Sequence, residues 1–153
     1  MVLCLIDGDG NIFRKELLEL GLQGGRLAAQ LLTDRILDYQ RRQGQSGGRF
    51  QLWVYVFLNM KGLRQTLVAS HVCNQDAFEA FVAGFNQANP RFTINDVHAG
   101  KEAADVKIKG KISNHKLSYR ILFYFVYRIP LVLRSLHSHI QDLLWRYCSS
   151  LPK

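Results

Sequence analysis

The chain has 153 residues, of which 48% are apolar and 21% are charged. This length suits one globular domain, and this balance excludes a disordered or fibrous protein. Cys4, Cys73 and Cys148 are odd in number and far apart, so they predict neither a disulfide scaffold nor a zinc finger. They favour a reducing intracellular compartment, the cytoplasm or the nucleus. The first apolar run, residues 2–6, is too short for a signal peptide.

The formal net charge of +8 is unevenly distributed along the chain. Residues 1–110 contain 13 Lys and Arg against 11 Asp and Glu, a net charge of +2. Residues 111–153 contain 7 Lys and Arg against Asp142 alone, a net charge of +6. We therefore predict a nearly neutral domain over residues 1–110, followed by a divergent basic tail over residues 111–153.

Strands and helices alternate in the predicted domain. Apolar runs predict three strands of a parallel sheet, at residues 2–6, 50–58 and 91–97. Apolar residues at helical spacing, together with capping residues, predict four helices, at residues 26–42, 63–70, 75–88 and 101–109. A short helical turn at residues 12–20 precedes them, and we expect Gly21, Gly24 and Gly25 to break it. The alternation predicts an α/β fold with helices on both faces of a parallel sheet.

Further predictions concern the helix at residues 75–88 and the tail. Asn74 is expected to cap the helix at residues 75–88, whose phenylalanines at i, i+3 and i+7 predict a core face. In the tail, an apolar stripe from Leu133 to Tyr147 predicts an amphipathic helix that packs on its own domain. Only seven residues separate Arg120 from Arg128, too few to span a bilayer, so we expect no membrane partner.

Acidic residues follow the first and third predicted strands. Asp7 and Asp9 are one residue apart after the first strand, and two crowded carboxylates favour a cation between them. Asp105 follows the third strand at the same edge of the sheet, so Asp7 and Asp105 can converge on a hard cation such as Mg²⁺. Asn59 and Lys101 are candidates for binding substrate, Lys101 through a phosphate. The competing interpretation is that the two aspartates only form a turn.

Other motifs point away from several classes of protein. The GxG around Asp9 lacks the third glycine of a dinucleotide site, so no dinucleotide is expected. The five histidines have no neighbours at zinc spacing and are interpreted as non-ligands. Asp96 lies within the polar third strand and is interpreted as a solvated position.

Three stretches together carry a family resemblance: LCLIDGDGNIF (3–13), WVYVFLNMKGLRQTL (53–67), and FEAFVAGFNQANPRFTINDV with GKEAADVKI (78–97 and 100–108). They resemble a domain of unknown function found in fungal proteins with CCCH-type zinc fingers. That domain is similar to the PIN-like/NYN nuclease superfamily. The resemblance covers roughly residues 2–110.

This resemblance implies a Rossmann-like three-layer α/β/α fold and metal-dependent RNA cleavage. The family's metal-binding aspartates match Asp7 and Asp105, with Asp9 and Asn11 in the same first loop. Asn59 matches a polar position after the second strand. The implied cofactor is Mg²⁺ or Mn²⁺, the implied catalytic residues are Asp7 and Asp105, and the implied partner is RNA.

The resemblance ends near residue 110, and the fold is therefore expected to be incomplete at its C-terminal end. A further glycine-rich loop with an acidic residue belongs to the family pattern, and residues 111–153 contain no such loop. One hypothesis is that these residues derive from a read-through intron or a shifted reading frame. The ribonuclease is then catalytically degenerate.

Two alternatives to a metal-dependent ribonuclease stay open. One is a non-catalytic module that binds RNA or protein. The other is a phosphatase similar to the haloacid dehalogenases, in which Asp7 is the nucleophile and Asp9 the acid/base in the stretch DGDGN.

Overall fold

A parallel sheet organises the fold. The computed structural model describes residues 2–8, 13–42, 51–98, 106–108 and 120–121. The elements in chain order are β1 (Val2–Asp7), α1 (Lys15–Glu19), α2 (Gly21–Arg42), β2 (Leu52–Leu58), α3 (Met60–Ala69), α4 (Gln75–Ala88), β3 (Phe92–Asp96) and β4 (Arg120–Ile121). Residues 106–108 are helical. The predicted α/β class is confirmed, and the three predicted strands are found.

The strand order is β3-β2-β1-β4, and each neighbouring pair is parallel. Asp7 of β1 is level with Phe57 of β2, and Asp96 of β3 is level with Leu58. β4 pairs with the first two residues of β1, Val2 and Leu3. The chain therefore winds outward from β1 in one direction to β3, and returns to the other side of β1 at β4.

The side chains of the strands alternate between two cores, as the apolar runs predict for a sheet covered on both faces. On the first face, residues such as Cys4, Val54 and Ile94 pack with buried residues of α1, α2, α3 and α4. On the second face, Leu3 and Phe57 are among the residues that share a core with Ile108. The helical residues 106–108 thus lie on the face opposite α1 to α4.

Cys4 shows how closely the first core is packed. Its side chain is completely buried in the middle of β1. Burial raises the pKa of its thiol to about 12, so Cys4 stays a neutral apolar side chain at physiological pH. We therefore assign Cys4 a packing role.

Glycines allow α2 and α4 to touch along their backbones. A Cβ atom on Gly25 would overlap the carbonyl oxygen of Phe81, and one on Gly84 would overlap the carbonyl oxygen of Leu22. Gly24 makes a similar approach to the carbonyl oxygen of Leu17 in α1. The three helices consequently pack at a distance that no other residue type permits at these positions.

The predicted start of α2 at residue 26 is wrong, because the helix begins at Gly21 and runs through Gly24 and Gly25. Gly24 and Gly25 lie inside the helix and permit its close packing, so they do not break it. Gly21 does separate the two helices, because α1 ends at Glu19 and α2 begins at Gly21, whose φ angle is +52°. α3 likewise begins at Met60, three residues before the predicted start, because Asn59 caps it. The prediction for α4 is confirmed: Asn74 caps it through Ala77, and Phe78, Phe81 and Phe85 are buried.

The predicted domain boundary at residue 110 stays a prediction. The expectations for the amphipathic tail and for an incomplete C-terminal end lie outside the described residues, apart from β4. Among the described helices, none is long and apolar enough to cross a bilayer.

We predict that Gly25→Ala and Gly84→Ala each lower the free energy of unfolding by about 2 kcal/mol or more, because the added methyl group forces α2 and α4 apart. In an ordinary helix the same change stabilises by up to about 1 kcal/mol, so the sign of the effect is diagnostic. Urea unfolding measures the change in the free energy of unfolding. Gln23→Ala, at an exposed position of α2, is the control and should change stability by less than about 0.5 kcal/mol. Equal effects of all three variants would contradict the close packing.

Candidate functional site

Polar residues collect where the parallel strands end. β1 ends at Asp7, β2 is followed directly by Asn59, and β3 ends at Asp96 and leads to His98. In open parallel sheets, ligands bind outside the carboxyl ends of the strands. We call these four residues and the loops that follow them the carboxyl edge.

The strand order marks one position along this edge. The connections β1 to β2 and β2 to β3 run through helices on the first face, whereas residues 106–108 lie on the second face. The chain therefore changes face between β1 and β4, which are neighbours in the sheet. In open sheets, such a switch point marks the strands at whose carboxyl ends ligands bind. Asp7 is the last residue of β1, and the described part of β4 lies beside Val2 and Leu3 at the other end of β1.

Asp7 is half-buried, and the turn behind it is tightly held. The N–H of Gly8 donates to the carbonyl oxygen of Phe57 at 2.7 Å, which extends the pairing of β1 with β2 by one residue. A Cβ atom on Gly8 would lie 2.9 Å from the Cβ atom of Leu58, too close for any side chain. Gly8 therefore lets the chain pass β2 directly after Asp7.

Asn59 has a structural task that the sequence analysis did not predict. Its Oδ1 atom accepts a hydrogen bond from the N–H of Gly62 at 2.9 Å, which makes it the N-cap of α3. This cap satisfies a helix N–H that would otherwise lack a partner. The side chain is thereby held at the carboxyl edge, and its predicted role in substrate binding stays a prediction.

Asp96 is more than a solvated strand residue. Its Oδ1 atom accepts hydrogen bonds from the N–H of Met60 at 3.2 Å and from the N–H of His98 at 2.9 Å. Its Oδ2 atom lies 3.2 Å from Nδ1 of His98. Asp96 therefore joins the end of β3, the start of α3 and the loop after β3, although 37% of its side chain is exposed.

The pKa of Asp96 reflects this environment. Partial desolvation raises the pKa, but the N–H groups of His98 and Met60, and the nearby imidazole of His98, outweigh it. The net result is a pKa below the ordinary value of an aspartate. The carboxylate is therefore ionised throughout the physiological range.

The other predicted site residues lie outside the described residues: Asp9, Asn11, Lys101 and Asp105. Their roles stay predictions. Within the part of the chain that the structure describes, there is no group of three or more His, Cys, Asp or Glu side chains suited to hold a metal ion. Of the three predicted metal ligands, Asp7 lies within the described residues.

Asp96 and His98 were missed as candidates by the sequence analysis. The one signal in the sequence was their i, i+2 spacing across the end of a predicted strand, which suits an aspartate that caps the following turn. The contact of Asp96 with Met60 joins residues 36 positions apart and has no local signal.

The fold and the carboxyl edge define an α/β domain with a parallel sheet and a switch point at Asp7. One protein family, described as a domain of unknown function (DUF7923), matches residues 1–121. The chain therefore belongs to this family. No curated protein and no solved structure matches it.

We predict that Asp96→Asn lowers stability at pH 7, because an amide accepts the two N–H donors less strongly than a carboxylate does. The pKa is lower in the folded chain than in the unfolded chain. The stabilisation by the Asp96 carboxylate is therefore fully present above the ordinary aspartate pKa of about 4. It is lost as the pH falls through the pKa of Asp96 in the folded chain. Urea unfolding at pH 7, 5 and 3 should show the two proteins converging at the lowest pH. An unchanged difference at pH 3 would contradict this account, and Asp34→Asn, at an exposed position of α2, is the control.

Proposed function

We propose that this chain is a metal-dependent RNA-cleaving domain of the PIN-like/NYN type. The single observation that carries the proposal is the position of Asp7, the last residue of β1, at the switch point between β1 and β4. In sheets of this kind, phosphorylated ligands bind outside the carboxyl ends of the strands, which is where Asp7 lies.

The second core supports the pairing of Asp7 with Asp105. Ile108 is buried on the second face of the sheet in one core with Leu3 and Leu5 of β1. Asp105 precedes Ile108 by three residues in the sequence. Between β3 and Ile108 the chain passes to the second face of the sheet beside β1, and we propose that Asp105 comes close to Asp7 there.

The donors proposed for the metal are carboxylates, which suit Mg²⁺ or Mn²⁺. Asp7 and Asp105 hold the ion in this proposal, and Asp9 assists from the loop after β1. When bound, such an ion activates a water molecule and stabilises charge on a phosphoryl group. Asn59, Asn11 and Lys101 bind the substrate.

Charge supports a modest electrostatic contribution to RNA binding. The net charge of residues 1–110 is +2, from 13 basic and 11 acidic residues. Affinity is therefore expected to depend on contacts at the carboxyl edge more than on a broad basic surface.

We predict that Asp7→Asn reduces Mg²⁺- or Mn²⁺-dependent cleavage of single-stranded RNA at least about 100-fold, because the ion loses a charged ligand. Asp105→Asn should have a similar effect. Asp34→Asn removes an exposed carboxylate of α2 and should leave the rate within twofold of the unchanged protein. The measurement is cleavage of a labelled RNA with and without a chelator.

Each other outcome of this experiment contradicts the proposal in a distinct way. Cleavage that persists in Asp7→Asn excludes the assigned site. RNA binding that is sensitive to salt but unaffected by chelator, without cleavage, indicates a non-catalytic module. Hydrolysis of a phosphomonoester that aluminium fluoride inhibits indicates a phosphatase with Asp7 as its nucleophile.

A further inference from the structure

His98 stands out at the carboxyl edge because its conformation is unusual and firmly held. Its φ angle is +59°, in the left-handed region that few residues other than glycine adopt, with asparagine, aspartate and histidine the most frequent among them. The N–H of His98 donates to Oδ1 of Asp96 at 2.9 Å, and its Nδ1 atom lies 3.2 Å from Oδ2. Both backbone and ring are thus held by one carboxylate.

The contact with Asp96 determines which ring nitrogen is available to a ligand. Nδ1 is directed to the carboxylate, so Nε2 is the nitrogen directed away from it. The side chain of His98 is 86% exposed. Asp96 is itself held by the N–H of Met60 at the start of α3, so the orientation of the imidazole is set by two secondary-structure elements.

His98 lies on the same edge of the sheet as Asp7, two strands away. β3 and β1 lie on either side of β2, and parallel strands are about 4.8 Å apart, so their ends are separated by roughly 10 Å. That separation is too large for His98 to act on the phosphate at Asp7. It suits contact with another phosphate of the same extended polymer.

We propose that His98, with both ring nitrogens protonated, donates from Nε2 to a backbone phosphate of a single-stranded RNA, further along the strand than the phosphate at Asp7. This inference rests on the proposed function and adds a path for the substrate, from β1 past Asn59 to β3. His98 is a substrate-binding residue in this account, and Asp96 is a positioning residue that orients its ring.

A second histidine provides a matched control. His71 also has a positive φ angle, +52°, and is exposed. It lies in the turn between α3 and α4, beside Glu19 of α1 and Ala77 of α4. His71 therefore belongs to the surface of the first-face helices and not to the end of β3, where the proposed path lies.

The test compares His98→Gly with His71→Gly in the full chain. Glycine adopts a positive φ angle without strain, so neither variant should disturb the backbone, and both should stay folded with melting temperatures close to that of the unchanged protein. We expect His98→Gly to weaken binding of a single-stranded RNA decamer about tenfold, the effect of losing a hydrogen bond to a charged group. His71→Gly should bind within twofold of the unchanged protein. Fluorescence anisotropy in the presence of a chelator measures binding without cleavage.

Two further measurements separate this inference from the proposed function. In cleavage assays, His98→Gly should raise KM about tenfold and leave kcat within twofold, because the lost contact is remote from the reacting phosphate. In NMR spectra, the imidazole signals of His98 should shift when the decamer is added, whereas those of His71 should not.

The outcomes are decisive for each claim. Equal RNA affinity of the two glycine variants, with cleavage still abolished by Asp7→Asn, overturns the role of His98 and leaves the proposed function standing. Weaker RNA binding by His98→Gly, together with unchanged binding by His71→Gly, supports the role of His98 even when the unchanged protein does not cleave RNA. An unchanged protein that binds no RNA overturns both.

Discussion

Backbone contact between α2 and α4 is the constraint on which the rest of the first core depends. Gly25 and Gly84 allow this contact, and the paired helices then cover the sheet. The same arrangement orders Phe13, whose ring centroid lies 4.7 Å from that of Phe81 and 5.8 Å from that of Phe85. Asp7 and Gly8 are held by the sheet. Helix packing thereby holds Phe13, the residue at which the described chain resumes after β1.

Much of the fold could be predicted because its signals are local. An unbroken apolar run identifies β1, and Asn74 followed by regularly spaced phenylalanines identifies α4. The start of α2 could not be predicted in this way. Glycine is a poor helix former in isolation, and its favourable role at Gly25 arises from α4, about 60 residues further along the chain. The pattern of the sequence does not show which residues approach each other so closely.

The same difference between local signals and contacts of distant residues applies to the candidate site. Asp7 was predicted correctly as a residue at the end of a strand, because a buried run followed by glycine and aspartate is a local pattern. Asp96 and His98 were set aside, because their importance depends on Met60 and on the order of the strands. The overall charge was the least informative feature, since most of it belongs to residues 111–153 and not to the predicted domain.

The short pairing of β4 with β1 has a practical consequence. β1 is hydrogen-bonded on one side to β2 along its whole length, and on the other side to Arg120 and Ile121 at Val2 and Leu3. The family match also ends at residue 121. A chain shortened to residue 110 would leave that side of β1, an apolar strand, as an open edge able to recruit a strand from another molecule. Arg120 and Ile121 therefore protect the first part of this edge, beside Val2 and Leu3.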